Sequence, residues 1–128
     1  MKKENDLRGV FGLLLPEIGR AVSEAGYHTP SPIQEQSIPS LLEGRDMLGC
    51  AQTGTGKTAA FALPILQHLQ TIKKHPSAGK PRVLIIAPTR ELAAQVADSI
   101  AKYGKYTKAS HTVIFGGVGQ NPQVKSVR

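Results

Sequence analysis

Apolar positions alternate between two periodicities along this chain, and the alternation predicts its architecture. Ile18, Ala21, Val22 and Ala25 recur at three- and four-residue spacings between Pro16 and Gly26. That predicts a helix opened by proline and stopped by glycine. A second helix is predicted from Ser31-Pro32, where Ser31 caps, Pro32 suits the first turn and Gln34 holds the third position of a capping box. Pro39 should kink or shorten it. Asp46 to Ala51 forms a short apolar run suited to a buried strand, followed by a helix from about Lys57 to Gln70 that contains Pro64. Arg82-Val83-Leu84-Ile85-Ile86-Ala87 is a continuous apolar run of the kind found in parallel strands covered on both faces. Leu92, Ala93, Val96 and Ile100 give a helix from Arg90 to about Tyr103, ended by Gly104, and His111 to Phe115 reads as a third strand. Strands alternating with helices imply right-handed crossovers, an α/β fold with a parallel sheet flanked by helices, and ligand sites at the carboxyl ends of the strands. Thr71 to Pro81 reads as an exposed loop.

At 128 residues the chain suits one domain rather than two. No apolar run approaches the roughly 20 residues of a membrane span, and the first six residues lack the apolar core of a signal peptide. A cytoplasmic location is therefore expected. Cys50 is the one cysteine, so no intrachain disulfide can form, and its place in a predicted strand suggests a buried packing residue. Net charge is +7, unevenly spread. Up to Gln70, six Lys/Arg face seven acids; from Thr71 onward, ten face only Glu91 and Asp98. A basic half favours a polyanionic partner, although a solvated lysine surface would give the same composition.

Residues 51–58, Ala51-Gln52-Thr53-Gly54-Thr55-Gly56-Lys57-Thr58, lie between a predicted strand and a predicted helix and read as a phosphate-binding loop. Gly54 and Gly56 let the backbone turn consecutive N–H groups toward a phosphate. Lys57 adds a mobile positive charge, Thr58 offers a hydroxyl for Mg²⁺, and the helix beginning there points its positive end at the same anion. Ala51 departs from the general pattern, which has glycine at that position. A Gly/Thr-rich turn between strand and helix also occurs without a ligand.

Three more segments fall near predicted strand ends or the loop: Gly26 to Gln34 (26–34), Pro88-Thr89-Arg90-Glu91-Leu92-Ala93 (88–93) and Gly116-Gly117 (116–117). Together with 51–58, this order and spacing resembles the first half of the first RecA-like (P-loop NTPase) domain of DEAD-box RNA helicases. The resemblance spans nearly the whole chain, is similar in detail to bacterial members of the RhlE type, and accounts for Ala51, with which that family's loop begins. It implies ATP and Mg²⁺ as cofactors, RNA as partner, and ATP-dependent strand separation as the activity. It implies that Gln34 reads the adenine edge and that Tyr27, Thr29 and Ile33 shape the base pocket. Thr53, Gly54, Thr55, Gly56, Lys57 and Thr58 would hold the phosphates, with Lys57 and Thr58 catalytic and Thr58 on the metal. Pro88, Thr89, Arg90, Gly116 and Gly117 would meet the RNA sugar-phosphate backbone, with little sequence preference. Each has a simpler role: Gln34 completes a cap, Tyr27 and Thr29 suit a turn, and Gly116-Gly117 suits a turn after a strand.

Hydrolysis normally requires a carboxylate at a strand end to hold Mg²⁺ and place water. After the loop only Glu91 and Asp98 are acidic, the first in the RNA-facing segment and the second on a helix. The resembled family's Asp-Glu-Ala-Asp motif, its later motifs and its second RecA-like domain have no counterpart in residues 1–128. The sequence therefore reads as an N-terminal part of the first domain, expected to bind nucleotide or RNA weakly and not to unwind alone. Two alternatives stay open: a non-enzymatic nucleotide- or RNA-binding fragment, and another P-loop NTPase.

Overall fold

The computed structural model describes residues 8–50, 56–71 and 82–114. A short 3-10 helix over Gly9–Leu13 leads into four helices: α1 (Pro16–Glu24), α2 (Pro32–Leu42), α3 (Lys57–Thr71) and α4 (Arg90–Tyr103). All four lie where periodicity predicts them. The chain leaves α1 through paired bonds, Gly26 N–H to Ser23 O at 2.9 Å and Tyr27 N–H to Val22 O at 3.2 Å, with Gly26 at φ +89°. This Schellman closure satisfies carbonyls that the helix end would leave orphaned. A second closure, unmarked in the sequence reading, ends α2 at Gly44 in the same way: Gly44 N–H to Leu41 O and Arg45 N–H to Ser40 O. Pro39 lies inside α2, which ends three residues later.

Helix α3 is the centre of the fold, packed against α2, α4 and α1. Its Leu63 and Leu66 meet Phe11, Ile18, Val22 and Ile38 in one buried cluster. Each such large side chain contributes roughly 1.5–3 kcal/mol on burial. A polar clamp fixes α1 on α3. Gln67 Oε1 accepts from Leu15 N–H at 2.8 Å, and Gln67 Nε2 donates to Leu13 O at 3.1 Å. Since Leu15 has no side-chain cap, this amide supplies from a neighbouring helix what the local sequence lacks.

The predicted sheet is the main departure. Among the described residues no strand forms: 46–50, 82–87 and 111–114 carry no ladder. Segment 83–86 nevertheless keeps a two-residue alternation, with Val83 and Ile85 38% and 39% exposed against 79% and 83% for Leu84 and Ile86. An extended run needs a neighbouring strand in register before it becomes a ladder. Here one side of the segment is half covered and the other open. The same openness corrects the expectation for Cys50, which is exposed rather than packed, because among the described residues no layer lies over segment 46–50. Of the predicted loop Thr71 to Pro81, Thr71 is instead the last residue of α3; residues 72–81, 1–7, 51–55 and the chain after Ile114 fall outside the described residues.

Candidate nucleotide-binding site

The site is built where α2 meets the start of α3. At the head of α2 the Gln34 half of a capping box is made, with Ser31 N–H donating to Gln34 Oε1 at 2.9 Å, while the Ser31 hydroxyl makes no cap bond. The same Gln34 amide reaches across, Nε2 donating to Gly56 O at 3.1 Å. Gln34 is only 6% exposed. Gly56 stands at φ +87°, and a Cβ there would overlap Gln34 Nε2 and come within 3.2 Å of Ser31 Oγ. Only glycine fits both the backbone angle and the close approach. Gly56 O also accepts from Ala60 N–H at 3.1 Å, so the Gln34 bond sits at the first turn of α3.

Beyond Gly56, Lys57 is exposed and Thr58 half-buried as the first two residues of α3. A cation and a hydroxyl at a helix N-terminus suit an anion and its metal. On the α2 side, Ser31 Oγ and His28 Nδ1 are buried with no hydrogen-bond partner among the described residues. Buried polar atoms left unmade cost free energy unless a ligand or water completes them. In the sequence Ser31 marks a helix cap and His28 carries no signal of its own; their adjacency to Gln34 is what ties both to the site.

The other predicted residues go elsewhere or remain apart. Thr29 is exposed in the turn before α2. Tyr27 turns toward the far end of α4, its ring centroid 6.4 Å from that of Tyr103. Burial, with the Tyr27 phenol beside it, pushes the Tyr103 hydroxyl up to about 12. Thr89 is the N-cap of α4, its Oγ1 accepting from Leu92 N–H at 3.1 Å, and Pro88 and Arg90 are exposed on either side. The Thr89 hydroxyl keeps its own proton free to donate. Thr53, Gly54, Thr55, Gly116 and Gly117 lie outside the described residues.

Comparison with known proteins resolves which phosphate-loop family this is. Residues 31–128 match the family model described as DEAD/DEAH box helicase. The chain belongs to that family. Relatives in the DEAD-box group include the ATP-dependent RNA helicase DeaD of Haemophilus influenzae, 49% identical over 116 residues covering 89% of this chain and 18% of that protein. DeaD of Escherichia coli strain K12 is 47% identical over 119 residues, covering 92% and 18%. The DEAD-box ATP-dependent RNA helicase RhpA of Helicobacter pylori is 47% identical over 114 residues, covering 82% and 22%. The chain thus spans about a fifth of the length of these curated relatives. Among solved structures, the RNA helicase Prp28 of Chaetomium thermophilum, bound to ADP, superposes with a TM-score of 0.77 at 36% identity, over 91% of this chain and 28% of that one. A Sulfolobus tokodaii protein described as a hypothetical ATP-dependent RNA helicase gives 0.72 at 34% identity, covering 85% and 30%. The described part of the chain is therefore arranged as in DEAD-box helicases.

Proposed function

We propose that this chain supplies the adenine-nucleotide site and part of the RNA-facing surface of an ATP-dependent RNA helicase. The observation that carries the reading is the Gln34 amide, buried and bonded at once to Ser31 N–H and Gly56 O. An amide has two N–H donors and an oxygen with two lone pairs. One of each is used, which leaves one donor and one lone pair for the donor–acceptor pair on the adenine edge. Base recognition and phosphate binding then share one rigid joint, because the residue reading the base is tied to the backbone that opens α3.

Gly56, Lys57 and Thr58 receive the phosphates, joined by Thr53, Gly54 and Thr55. The local chemistry fits Mg²⁺: Thr58 offers a hard oxygen at a helix N-terminus where phosphate oxygens would complete the coordination. A bound Mg²⁺ would neutralise part of the phosphate charge at that end of α3. Lys57 contributes a second positive charge to that end. Pro88, Thr89 and Arg90 meet the RNA backbone at the N-terminus of α4, Thr89 through its remaining O–H and Arg90 through its guanidinium. Gly116 and Gly117, which lie outside the described residues, are assigned to the same RNA backbone because glycine leaves room for a close approach. The segments 46–51, 82–87 and 111–115, which carry no ladder among the described residues, are assigned to a parallel RecA-like sheet that forms once neighbouring strands pair with them, with 26–34, 51–58, 88–93 and 116–117 assigned to its ligand-facing edge. A second RecA-like domain is the partner that would close over both ligands, in the cytoplasm. No helix among the described residues is long and apolar enough to cross a membrane.

Within the 128 residues the acids after the loop are Glu91 and Asp98, both exposed on α4, and neither adjoins Gly56 in sequence. This polypeptide is therefore expected to bind nucleotide without turning it over. ATP turnover measured with and without RNA tests this: no RNA-stimulated turnover is expected, and robust stimulated turnover by residues 1–128 alone would overturn the reading.

A further inference from the structure

All three tyrosines of the chain gather at the C-terminal end of α4, away from its Thr89–Arg90 end. Tyr27 packs its ring on Tyr103, and Lys102 Nζ lies 5.9 Å from the Tyr103 ring centre. Just beyond, Tyr106 lies between two cations, the Arg20 guanidinium 4.2 Å and Lys105 Nζ 5.3 Å from its ring centre. Glu24 gathers this second group, accepting from Tyr106 O–H at 2.6 Å and pairing with Lys105 at 2.7 Å and Arg20 at 3.2 Å. Lys102 and Lys108 are exposed and carry no ion pair among the described residues. Asp98, one turn before Lys102, is the other acid of this face.

From these observations we infer a second RNA-backbone contact, formed by Lys102 and Lys108 beside the tyrosine cluster, at the opposite end of α4 from Thr89–Arg90. It rests on the RNA-helicase reading above. The occupant follows from charge and surface chemistry. Glu24 already engages Arg20 and Lys105 and sets the Tyr106 ring, so the rigid part of the face is internally satisfied. Among the described residues of this face, Lys102 and Lys108 are the cations left for phosphates, and the half-exposed Tyr27 ring offers an aromatic surface to an unstacked base. Helix α4 has 14 residues, so its ends stand about 20 Å apart at 1.5 Å per residue. One single strand can span that distance over several nucleotides.

The test is equilibrium binding of a fluorescent single-stranded RNA to the 128-residue chain across a salt series, comparing the unaltered chain, Lys102→Ala/Lys108→Ala and Arg90→Ala. Each phosphate contact to a single strand adds about 0.7 to the slope of log affinity against log salt. The double lysine variant should therefore lose about 1.4 from that slope, or about 25-fold in affinity at 0.1 M salt relative to 1 M. Adding Tyr27→Leu should weaken binding further at every salt concentration. Unchanged slope and affinity in the lysine variant, with loss in Arg90→Ala, would overturn this contact and leave the RNA reading standing. No RNA binding by any form would overturn both. Selective loss of binding to an acidic polypeptide such as polyglutamate, with RNA binding intact, would assign the face to a protein partner and overturn the inference. Circular dichroism of each variant confirms that helix content is retained.

Discussion

The joint between Gln34 and Gly56 makes a quantitative prediction through a double-mutant cycle. Gly56→Ala places a Cβ at φ +87° and into Gln34 Nε2. The left-handed backbone alone costs about 1–2 kcal/mol for a non-glycine residue. Displacing the amide adds the loss of its bond to Gly56 O, about 1 kcal/mol, and of its bond to Ser31 N–H, about 1 kcal/mol as part of the cap. Gly56→Ala should therefore destabilise by about 3–4 kcal/mol. Gln34→Ala removes the same two bonds and should cost about 2 kcal/mol. With the amide already gone, Gly56→Ala meets no overlap from Gln34 and loses neither bond, so only the backbone cost of about 1–2 kcal/mol remains. The double variant should fall short of the sum of the singles by about 2 kcal/mol. Urea titrations of the four forms, with matched m-values, measure this coupling directly. Additivity within about 0.5 kcal/mol, the behaviour of independent sites, would refute the claim that Gln34 and Gly56 form one unit.

Further predictions concern the packing that holds the site. Gln67→Ala should destabilise by about 2 kcal/mol, because it removes two bridging bonds and leaves the part-buried Leu15 N–H unmade; a change under about 0.5 kcal/mol in denaturant unfolding would count against the clamp. For Glu24, the hydrogen bond from Lys105 first and that from Tyr106 next hold the carboxyl down to about 2 from its ordinary value of 4.5. A depressed carboxyl contributes stability that is present above the unfolded value and lost as pH falls through the folded one. The unaltered chain should thus lose stability between about pH 4.5 and about pH 2, and Glu24→Gln should flatten that part of the profile; parallel profiles for the two forms would contradict the assignment.

Helices were legible in the sequence because their signals are local. Pro16, Ser31-Pro32, Gly26 and Gly104 mark ends that the structure places within a residue or two of the expectation. The family was legible because Gln34, Gly56-Lys57-Thr58 and Thr89-Arg90 each combine a residue type with a position beside a helix start. The sheet was not, because a strand is defined by its neighbour: 82–87 has the composition of a covered strand, yet its exposure shows one open side. Cys50 was misjudged for the same reason. The Gln67 clamp, the Glu24 cluster and the gathering of Tyr27, Tyr103 and Tyr106 join residues far apart in the chain, and nothing in their local spacing announces them. At Gln34 the two sequence readings, helix cap and adenine contact, are compatible: the cap uses the oxygen, and the second donor remains.

The central claim is that Gln34, Gly56, Lys57 and Thr58 form an adenine-nucleotide site. Its most direct test is equilibrium binding of fluorescent ADP, competed by unlabelled ATP and GTP, to the unaltered chain, Gln34→Ala and Lys57→Ala. The account predicts competition by ATP well ahead of GTP, loss of that preference in Gln34→Ala, and weakened binding of both nucleotides in Lys57→Ala. Equal competition by ATP and GTP in the unaltered chain, or a preference that survives Gln34→Ala, would contradict it.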